Sequence, residues 1–373
     1  MKNISILLLM FVFLYSCKKD DDVAGGSPAI SKVYTPTDRS TVISTGELNQ
    51  WLIIAGSNLA GTETVQFNDI SIDKTDFFAN DTSVTVRVPR QIPTNVNNLI
   101  TVTTAAGSAT YNFTVVIPQL KISGMANEYV EAGDTLEVTG DFFDLYELDT
   151  TLTTVSFTGG STVNVVASGA TSLKVIVPQD AQPGPLTITG PAPRNMELVT
   201  SAWYKDNRNY LFDINSFGGW NGSSYISSGP DPAPLTGPYF KVNKSWQGGW
   251  AWDPFLSNNC NIPQELVDDA SKYKNYALKF EMYTPSSGNT LPLKLTMVFN
   301  TGGYKEYSFD PSAANTFPYS TKGKWKTFTV PLKDWGNLDG FTFVNPMIME
   351  FMLKDANPSE SNFSVCNFRM VPI

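Results

Sequence analysis

The sequence predicts an all-β fold, in which two similar tandem β-sandwiches are followed by a larger, jelly-roll-like β-sandwich. Three observations support this prediction. From Ala29 onward, short alternating or β-branched runs are separated by Gly, Pro, Asn and Asp, which is typical of antiparallel sandwiches. Two stretches of the chain match each other with a period near 90 residues. Beyond residue 200 the aromatic content rises, which indicates a domain of a different kind.

Composition excludes several classes of function. The 373 residues are 16% charged and 12% aromatic, so a large apolar surface is available for burial. The net charge of −9, without a Lys/Arg cluster, argues against nucleic acid as a partner. The chain has no histidine, which excludes Ser-His-Asp and Cys-His catalysis and any His-ligated zinc or iron site. Its three cysteines are too few for a thiolate metal cluster.

The N-terminus predicts a lipoprotein. Lys2 precedes an apolar run over residues 4–15, which is typical of a signal peptide at residues 1–16 and too short to span a membrane. Residues 14–17 (LYSC) resemble a bacterial lipobox, in which Cys17 carries acyl chains such as palmitate. The charged run at 18–22 (KKDDD) belongs to a tether at 17–27 and resembles the export tag of surface-displayed lipoproteins. We therefore expect a lipid-anchored, surface-exposed outer-membrane protein; an ordinary signal peptide is the alternative.

The two matching stretches share three motifs. Residues 51–59 (WLIIAGSNL) precede a Val-x-Phe at 65–67, and residues 135–143 (TLEVTGDFF) precede one at 155–157. Residues 82–89 (TSVTVRVP) parallel residues 171–178 (TSLKVIVP). The offset is 84 positions between Gly56 and Gly140 and 89 between the Val-Pro pairs, so an insertion lies around residues 145–151. A repeat of this length is the size of one immunoglobulin-like sandwich.

These motifs resemble the IPT/TIG subclass of immunoglobulin-like domains. The resemblance places one domain at residues 28–117 and a second at residues 118–200. Together the two domains contain one Trp and four Tyr, without a cluster of exposed-looking aromatics. We interpret them as spacers that hold the C-terminal region away from the membrane.

Residues 201–373 contain seven of the eight Trp and ten of the fifteen Tyr. Period-two alternation at residues 278–283, 293–299, 325–330 and 363–370 predicts strands of one jelly-roll-like sandwich. A short helix is predicted around residues 264–273. We expect a fragment that starts near Ser201 to fold and to function alone.

The densest aromatic motif lies at residues 246–253 (WQGGWAWD). On a strand, Trp250 and Trp252 would share one face at a spacing of ~6.8 Å. Trp220 is a second glycine-flanked tryptophan, with Tyr225 nearby. Exposed rings of this kind stack on the C–H faces of sugars, and each contributes about 1.5–2.5 kcal/mol. The alternative, that these rings fill the core, stays open for each Trp because most tryptophans are largely buried.

The C-terminal region also resembles the glycan-binding domain of surface glycan-binding protein B-type lipoproteins. The matching residues are 210–214 (YLFDI), 219–220, 237–242 (GPYFKV), 249–252, 331–335 (PLKDW) and 365–372. The resemblance implies a non-catalytic polysaccharide-binding protein of an outer-membrane glycan uptake system, with xyloglucan or another β-glucan as ligand and the other uptake components as partners. By motif it assigns binding to Trp220, Trp250 and Trp252, and less directly to Trp246 and Tyr225. Ala251 departs from the family pattern, in which an adjacent aromatic is expected.

Other functions remain open on residues alone. A glycosidase needs two carboxylates ~5–9.5 Å apart, and a protein-binding adhesin could share the same architecture. Cys260 and Cys366 could form a disulfide or remain free thiols. No cofactor is predicted; a structural calcium would have to use oxygens of Asp213, Asn215 and Asp253, whose spacing matches no recognisable site. The candidate carboxylates for catalysis are Asp253, Glu265, Glu281, Asp310 and Glu350.

Overall fold

The computed structural model describes residues 26–192, 196–286, 295–309, 319–336 and 338–373. The chain divides into two compact units, Met1–Pro118 and Gln119–Ile373. The predicted signal peptide, Cys17 and most of the tether lie outside the described residues. In the described part of the chain, no helix is both long enough and apolar enough to cross a membrane.

The first unit is a β-sandwich. One sheet has the strand order β1-β3-β7-β6 and the other has β5-β4-β8-β9, while β10 pairs in parallel with β2. Alternate residues of both sheets, such as Leu52, Ile54 and Val102, form a shared buried core. The strands are β1 (Ala29–Tyr34), β2 (Thr45–Glu47), β3 (Trp51–Ser57), β4 (Thr62–Phe67), β5 (Ile70–Asp73), β6 (Phe77–Asn80), β7 (Ser83–Arg87), β8 (Leu99–Thr104), β9 (Gly107–Asn112) and β10 (Thr114–Val116), with a 3₁₀ turn at Lys74–Asp76.

The second sandwich repeats this plan. Its sheets have the orders β11-β12-β16-β15 and β14-β13-β17-β18, which correspond strand for strand to the two four-stranded sheets of the first. The strands are β11 (Lys121–Met125), β12 (Thr135–Asp141), β13 (Thr154–Phe157), β14 (Thr162–Asn164), β15 (Ala167–Ser168), β16 (Ser172–Ile176), β17 (Gly184–Thr189) and β18 (Glu197–Tyr204). The prediction of two tandem immunoglobulin-like sandwiches is therefore confirmed.

The repeated glycines explain part of the sequence match. A Cβ on Gly56 would lie 1.8 Å from the carbonyl oxygen of Ala29, and one on Gly140 would lie 2.0 Å from that of Lys121. In both sandwiches this contact lies beside a β-bulge in the neighbouring strand. Only glycine allows the two backbones to approach so closely, which is why the residue recurs in both copies.

The C-terminal sandwich (β19–β27) has two antiparallel sheets, ordered β19-β20-β27-β22-β25 and β21-β26-β23-β24. Its strands are β19 (Ile226–Ser227), β20 (Tyr239–Trp246), β21 (Leu256–Cys260), β22 (Tyr276–Tyr283), β23 (Leu295–Phe299), β24 (Lys305–Phe309), β25 (Lys326–Pro331), β26 (Met347–Leu353) and β27 (Ser359–Pro372). The domain also contains one helix, α1 (Gln264–Asp268), and four 3₁₀ turns at Ile214–Ser216, Ser223–Tyr225, Ala270–Asn275 and Leu332–Asp334. Strands β22, β23, β25 and β27 overlap the four predicted runs; residues 293 and 294 of the second run lie outside the described residues.

The second and C-terminal sandwiches meet within the Gln119–Ile373 unit. Strand β18 crosses the boundary predicted between residues 200 and 201, and its last residues, Trp203 and Tyr204, still pair with β17. The tyrosine hydroxyl of Tyr129 donates to the backbone carbonyl of Asp206. Strand β18 thus completes the second sandwich and leads directly into the chain that begins the C-terminal sandwich.

Four charged side chains are buried at this junction, and we call Glu128, Lys279, Glu281 and Arg369 the charge cluster. Glu128 of the second sandwich accepts from the Lys279 ammonium and from the Arg369 guanidinium, each at 2.6 Å. The same guanidinium donates to both Glu281 oxygens, at 2.8 and 2.9 Å. Two positive and two negative charges cancel, so every charge of the cluster has an opposite partner.

The two cysteines of the described region are free and buried. Burial raises the pKa of the Cys260 thiol and of the Cys366 thiol. Of the two possibilities left by the sequence, the structure has the free thiols, which behave as small apolar core groups.

Candidate functional site

The C-terminal sandwich exposes aromatic rings. Among its described residues, the aromatic side chains that are more than a third exposed are Trp220 (63%), Trp250 (62%), Trp252 (46%) and Tyr304 (53%). We call these four residues the aromatic surface. Exposed large rings are costly in water, so a group of them indicates a ligand-binding site.

Trp220 lies at the edge of the sheet that contains β21. Its backbone N–H donates to the Ser257 carbonyl at 2.9 Å, and Asn221 forms a β-bridge with Ser257. A Cβ on Gly219 would lie 2.5 Å from that same Ser257 oxygen. The glycine before this tryptophan therefore allows the backbone to pack against the edge strand while the ring projects into solvent.

Trp250 and Trp252 follow the end of β20. The prediction that both lie on one strand is wrong, because β20 ends at Trp246 and Trp250 adopts a left-handed conformation with φ +60° in a turn. The Trp250 N–H donates to the Asp355 carbonyl at 2.9 Å, so the turn packs beside the residues that follow β26. Both rings are nevertheless exposed, for a reason different from strand periodicity.

Trp252 and Tyr304 form a pair. Their ring centroids are 6.1 Å apart and their planes are tilted by 41°. The Lys354 ammonium lies 5.0 Å from the Trp252 centroid and 3.0 Å from a carboxylate oxygen of Glu306, which also accepts from the Tyr304 hydroxyl. The carboxylate thus holds both the tyrosine and the lysine in place beside the tryptophan.

Sequence analysis missed Tyr304, although a signal was present. Tyr304 follows Gly302-Gly303, just as Trp220 and Trp250 each follow two glycines. A Cβ on Gly248 would lie 2.6 Å from the Ala356 carbonyl, and one on Gly302 would lie 2.2 Å from the Thr342 carbonyl. Each of the three Gly-Gly-aromatic segments therefore presses its backbone against a neighbouring carbonyl and presents its ring outward. A search for glycine pairs before any aromatic residue, rather than before Trp alone, finds all three.

Two predicted site residues are buried or partly buried. Trp246 is 3% exposed, its Nε1 donates to the Ser361 hydroxyl at 2.6 Å, and its ring packs edge-on against Phe255. Trp246 cannot stack on a sugar in this position, because protein surrounds the ring; this corrects its assignment to the glycan-binding set. Tyr225, in the 3₁₀ turn Ser223–Tyr225, is partly buried against the same core.

Polar side chains cross the sheet that carries the aromatic surface. Ser257 pairs with Glu350, Glu350 with Val298, and Val298 with Glu306, so these residues share one face of β21, β26, β23 and β24. The Glu350 carboxylate accepts from the Ser257 hydroxyl at 3.2 Å and from the Asn300 amide at 3.1 Å. Because Ser257 and Glu350 are buried, this network satisfies polar groups within the sheet that the rings border and does not itself face solvent.

The ionisable groups beside the rings keep one charge state around neutral pH. Burial raises the pKa of Tyr304, and its hydrogen bond to Glu306 adds to this, to about 12. Burial opposes ionisation of Glu306, but hydrogen bonds from Tyr304 and Lys354 outweigh it and lower the pKa of that carboxyl. The tyrosine therefore stays a neutral hydroxyl and the glutamate stays charged.

The residues weighed for metal binding and catalysis are engaged with other protein groups. The Asp213 carboxylate accepts from the Asn215 backbone and side chain, and Asp253 pairs with Lys244 at 2.7 Å. No group of three or more His, Cys, Asp or Glu side chains suited to a metal ion occurs in the part of the chain that the structure describes. Asp310 lies outside the described residues.

Comparison with known proteins agrees with this architecture. Residues 204–372 match the family model described as surface glycan-binding protein B xyloglucan binding domain. An IPT/TIG domain-containing protein of Bacteroides ovatus is 27% identical over 146 residues, which cover 38% of this chain and 30% of that relative's length. The crystal structure of the surface glycan-binding protein PbSGBP-B from Prevotella bryantii superposes with a TM-score of 0.57 at 20% identity, over 94% of this chain and all of the other. At this identity the superposition shows a shared fold.

Proposed function

We propose that this chain, whose residues 204–372 match the family model of the surface glycan-binding protein B xyloglucan binding domain, is a non-catalytic cell-surface protein of that family that captures polysaccharide on the aromatic surface. The observation that supports this best is the exposure of four aromatic rings on one sandwich whose core already holds many others. Xyloglucan or another neutral β-glucan is the first choice of ligand, in keeping with the family.

The binding energy comes from stacking. Covering roughly 60–100 Å² of ring per sugar at ~25 cal/mol/Å² stabilises the complex by about 1.5–2.5 kcal/mol for each ring used. Two or three rings sum to about 3–7.5 kcal/mol, which corresponds to a Kd of ~6 mM to ~3 μM before the cost of association is subtracted, so we expect weak binding, on the order of millimolar. Because the planes of Trp252 and Tyr304 are tilted by 41°, sugars stacked on both rings must turn relative to each other along the chain.

The carboxylates favour binding over hydrolysis. Glu281 has both oxygens bound to Arg369 inside the charge cluster, and Glu265 accepts from Lys272 and from Tyr276. Glu350 lies between Ser257 and Asn300, and is buried. A glycosidase requires one protonated acid and a second free carboxylate that both face the sugar, and these side chains are instead committed to protein partners.

We also propose that Cys17 anchors the protein to the outer membrane by acylation, where it serves a glycan uptake system together with other components. The lipobox-like residues 14–17 and the charged tether support this. The Cys17→Ala variant should leave the membrane fraction or stay unprocessed. If the variant still fractionates with intact outer membranes and stays surface-exposed, the lipid anchor is not the means of attachment.

Affinity gel electrophoresis tests the central proposal. The full chain should be retarded by xyloglucan or by mixed-linkage β-glucan embedded in the gel, and incubation with the retarding glycan should release no reducing sugar. The Trp220→Ala/Trp252→Ala double variant should lose most of the retardation. Equal mobility with and without every neutral β-glucan would refute glycan capture, and release of reducing ends would establish hydrolysis instead.

A further inference from the structure

The first sandwich, which the sequence predicts to be a plain spacer, also exposes aromatic rings. Trp51 begins β3 with 44% of its side chain exposed, and Phe78 lies in β6 with 76% exposed. Trp51 pairs with Arg87, and Phe78 pairs with Thr85, on the two sides of β7. Both rings lie on the outer face of the sheet, opposite the core residues Leu52 and Phe77, and we call them the Trp51–Phe78 ridge.

The ridge separates two recesses and lines both of them. On one side the lining is small and weakly polar, and includes Thr35, Pro36 and Thr85. On the other side it is rich in hydrogen-bonding groups. These groups include Asn49, Asp73, Asp76, Arg87, Arg90 and Gln91.

The fold itself does not require these rings, because the second sandwich is built without them. Trp51 stands five residues before Gly56, and the matching position before Gly140 is Thr135. Phe78 pairs with Thr85 in β7, and the matching residue in β15 is Ala167, which pairs with Lys174. The same strand plan thus forms with a threonine and an alanine at these places, so the rings of the first sandwich serve a purpose other than folding.

The chemistry of the surface fits a neutral sugar chain. Flat rings accept the C–H faces of pyranoses, and planar amide, carboxylate and guanidinium groups accept or donate pairs of hydrogen bonds to neighbouring hydroxyls. The charged side chains of the polar recess are two aspartates and two arginines, which cancel.

From these observations we infer that the Trp51–Phe78 ridge is a second binding surface for a neutral polysaccharide, separate from the C-terminal sandwich. The inference stands on the geometry of the first sandwich and goes beyond the proposed function, which places capture on the aromatic surface. A long glycan that engages both surfaces is held with a raised effective concentration, whereas a short oligosaccharide can fill only one.

Hydroxyl-radical footprinting of the full chain with soluble xyloglucan, and separately with mixed-linkage β-glucan, locates the contact directly. We expect one of the two glycans to protect Trp51 and Phe78 together with Trp220 and Trp252. Protection of Trp220 and Trp252 alone would overturn the second surface and leave the proposed function intact. Protection of Trp51 and Phe78 alone would support the second surface and overturn the assignment of capture to the aromatic surface, and protection of neither pair would overturn both.

Variants provide the matched control. Trp51→Ala/Phe78→Ala should weaken binding of the full chain to the polysaccharide that protects both surfaces by about tenfold or more. The affinity of this variant for a heptasaccharide of the same glycan should change less than about twofold. The control Val166→Ala/Ile176→Ala removes exposed apolar side chains from the second sandwich and should change neither affinity. Unchanged polysaccharide affinity in the first variant would overturn the inference. So would a concentration-dependent dimer, seen by sedimentation, that the variant abolishes, since a second copy of the chain would then occupy the ridge.

Discussion

Two regions of the Gln119–Ile373 unit place their side chains contrary to the usual preference. The charge cluster buries four ionised groups at the junction between sandwiches, whereas the aromatic surface exposes three tryptophans and a tyrosine. Charged residues are almost never fully buried unless they are paired, and large aromatics are mostly covered. The difference shows that burial alone does not indicate what a residue does: the charges join two domains, and we propose that the rings meet a ligand.

Removal of the second sandwich should have the greatest effect on the stability of the C-terminal sandwich. The sequence alone predicts that a fragment starting near Ser201 folds independently, but the structure leads us to expect a less stable fragment. Such a fragment loses Glu128 and the first half of β18, which leaves Lys279 and Arg369 with a single carboxylate, Glu281. Removal of the second sandwich also exposes Lys279, Glu281 and Arg369 to water, so the free energy of unfolding should fall because contacts across the junction are lost, not because a charge stays buried without its partner.

Urea denaturation of the two fragments provides the measurement. A fragment that starts at Gln119 keeps the whole cluster and should unfold at a clearly higher urea concentration than one that starts at Ser201. Equal midpoints and equal slopes would show that the junction contributes nothing to the C-terminal sandwich.

A single substitution tests the contribution of the charge cluster to stability. Arg369→Met removes the guanidinium that contacts both glutamates, so we expect the Gln119–Ile373 unit to lose about 3–5 kcal/mol of stability in the full chain. Lys241→Met is the matched control, because the Lys241–Asp231 pair, at 3.6 Å, lies at the surface and should be worth less than about 1 kcal/mol. Similar losses in the two variants would contradict a special role for the cluster.

Two tryptophans of one segment test the other side of the comparison. Trp246→Ala should cost about 3–5 kcal/mol of stability, because a buried ring leaves a cavity. Trp250→Ala should leave the midpoint of thermal unfolding nearly unchanged but weaken polysaccharide binding by about 1.5–2.5 kcal/mol. Calorimetric unfolding and titration of both variants separate the two effects. Loss of stability in Trp250→Ala with full affinity per folded molecule would mean that this ring is structural.

The smallest expected effect is that of pH and salt on glycan binding. Because the pKa of Glu306 is lowered, its carboxylate stays ionised while the pH falls through the ordinary pKa of a glutamate. The interaction of this carboxylate with Tyr304 and Lys354 is lost only as the pH falls through the lower pKa of the folded protein. Tyr304, whose pKa is about 12, stays neutral on the alkaline side, and the chain has no histidine to titrate between. Affinity should therefore be level from roughly pH 5 to 9 and insensitive to salt. Isothermal titrations at a series of pH values provide the measurement. A change in affinity with its midpoint near neutral pH would contradict this account.

Local pattern was enough to predict the repeats, several strands and three of the four rings of the aromatic surface. It failed where a neighbouring element decides the outcome. In β22, Lys279 and Glu281 alternate with core residues and look like a solvated strand face, but the second sandwich covers that face through Glu128. Trp246 and Trp250 are only four residues apart, but β20 ends at Trp246, and the ring on the strand is buried whereas the ring in the following turn is exposed. Such contacts join residues far apart in the chain, so no short window of sequence contains them.

The charge cluster also restricts how the parts of this protein can be recombined. A chimera that fuses the C-terminal sandwich to an unrelated immunoglobulin-like domain would carry Lys279 and Arg369 into a joint without Glu128. The part that can be transferred intact is therefore the whole Gln119–Ile373 unit, in which the C-terminal sandwich keeps its native second sandwich. Upstream of that joint, sandwiches can be added, deleted or replaced without leaving a buried charge unpaired in the cluster, so variation in the number of upstream sandwiches is structurally permissible.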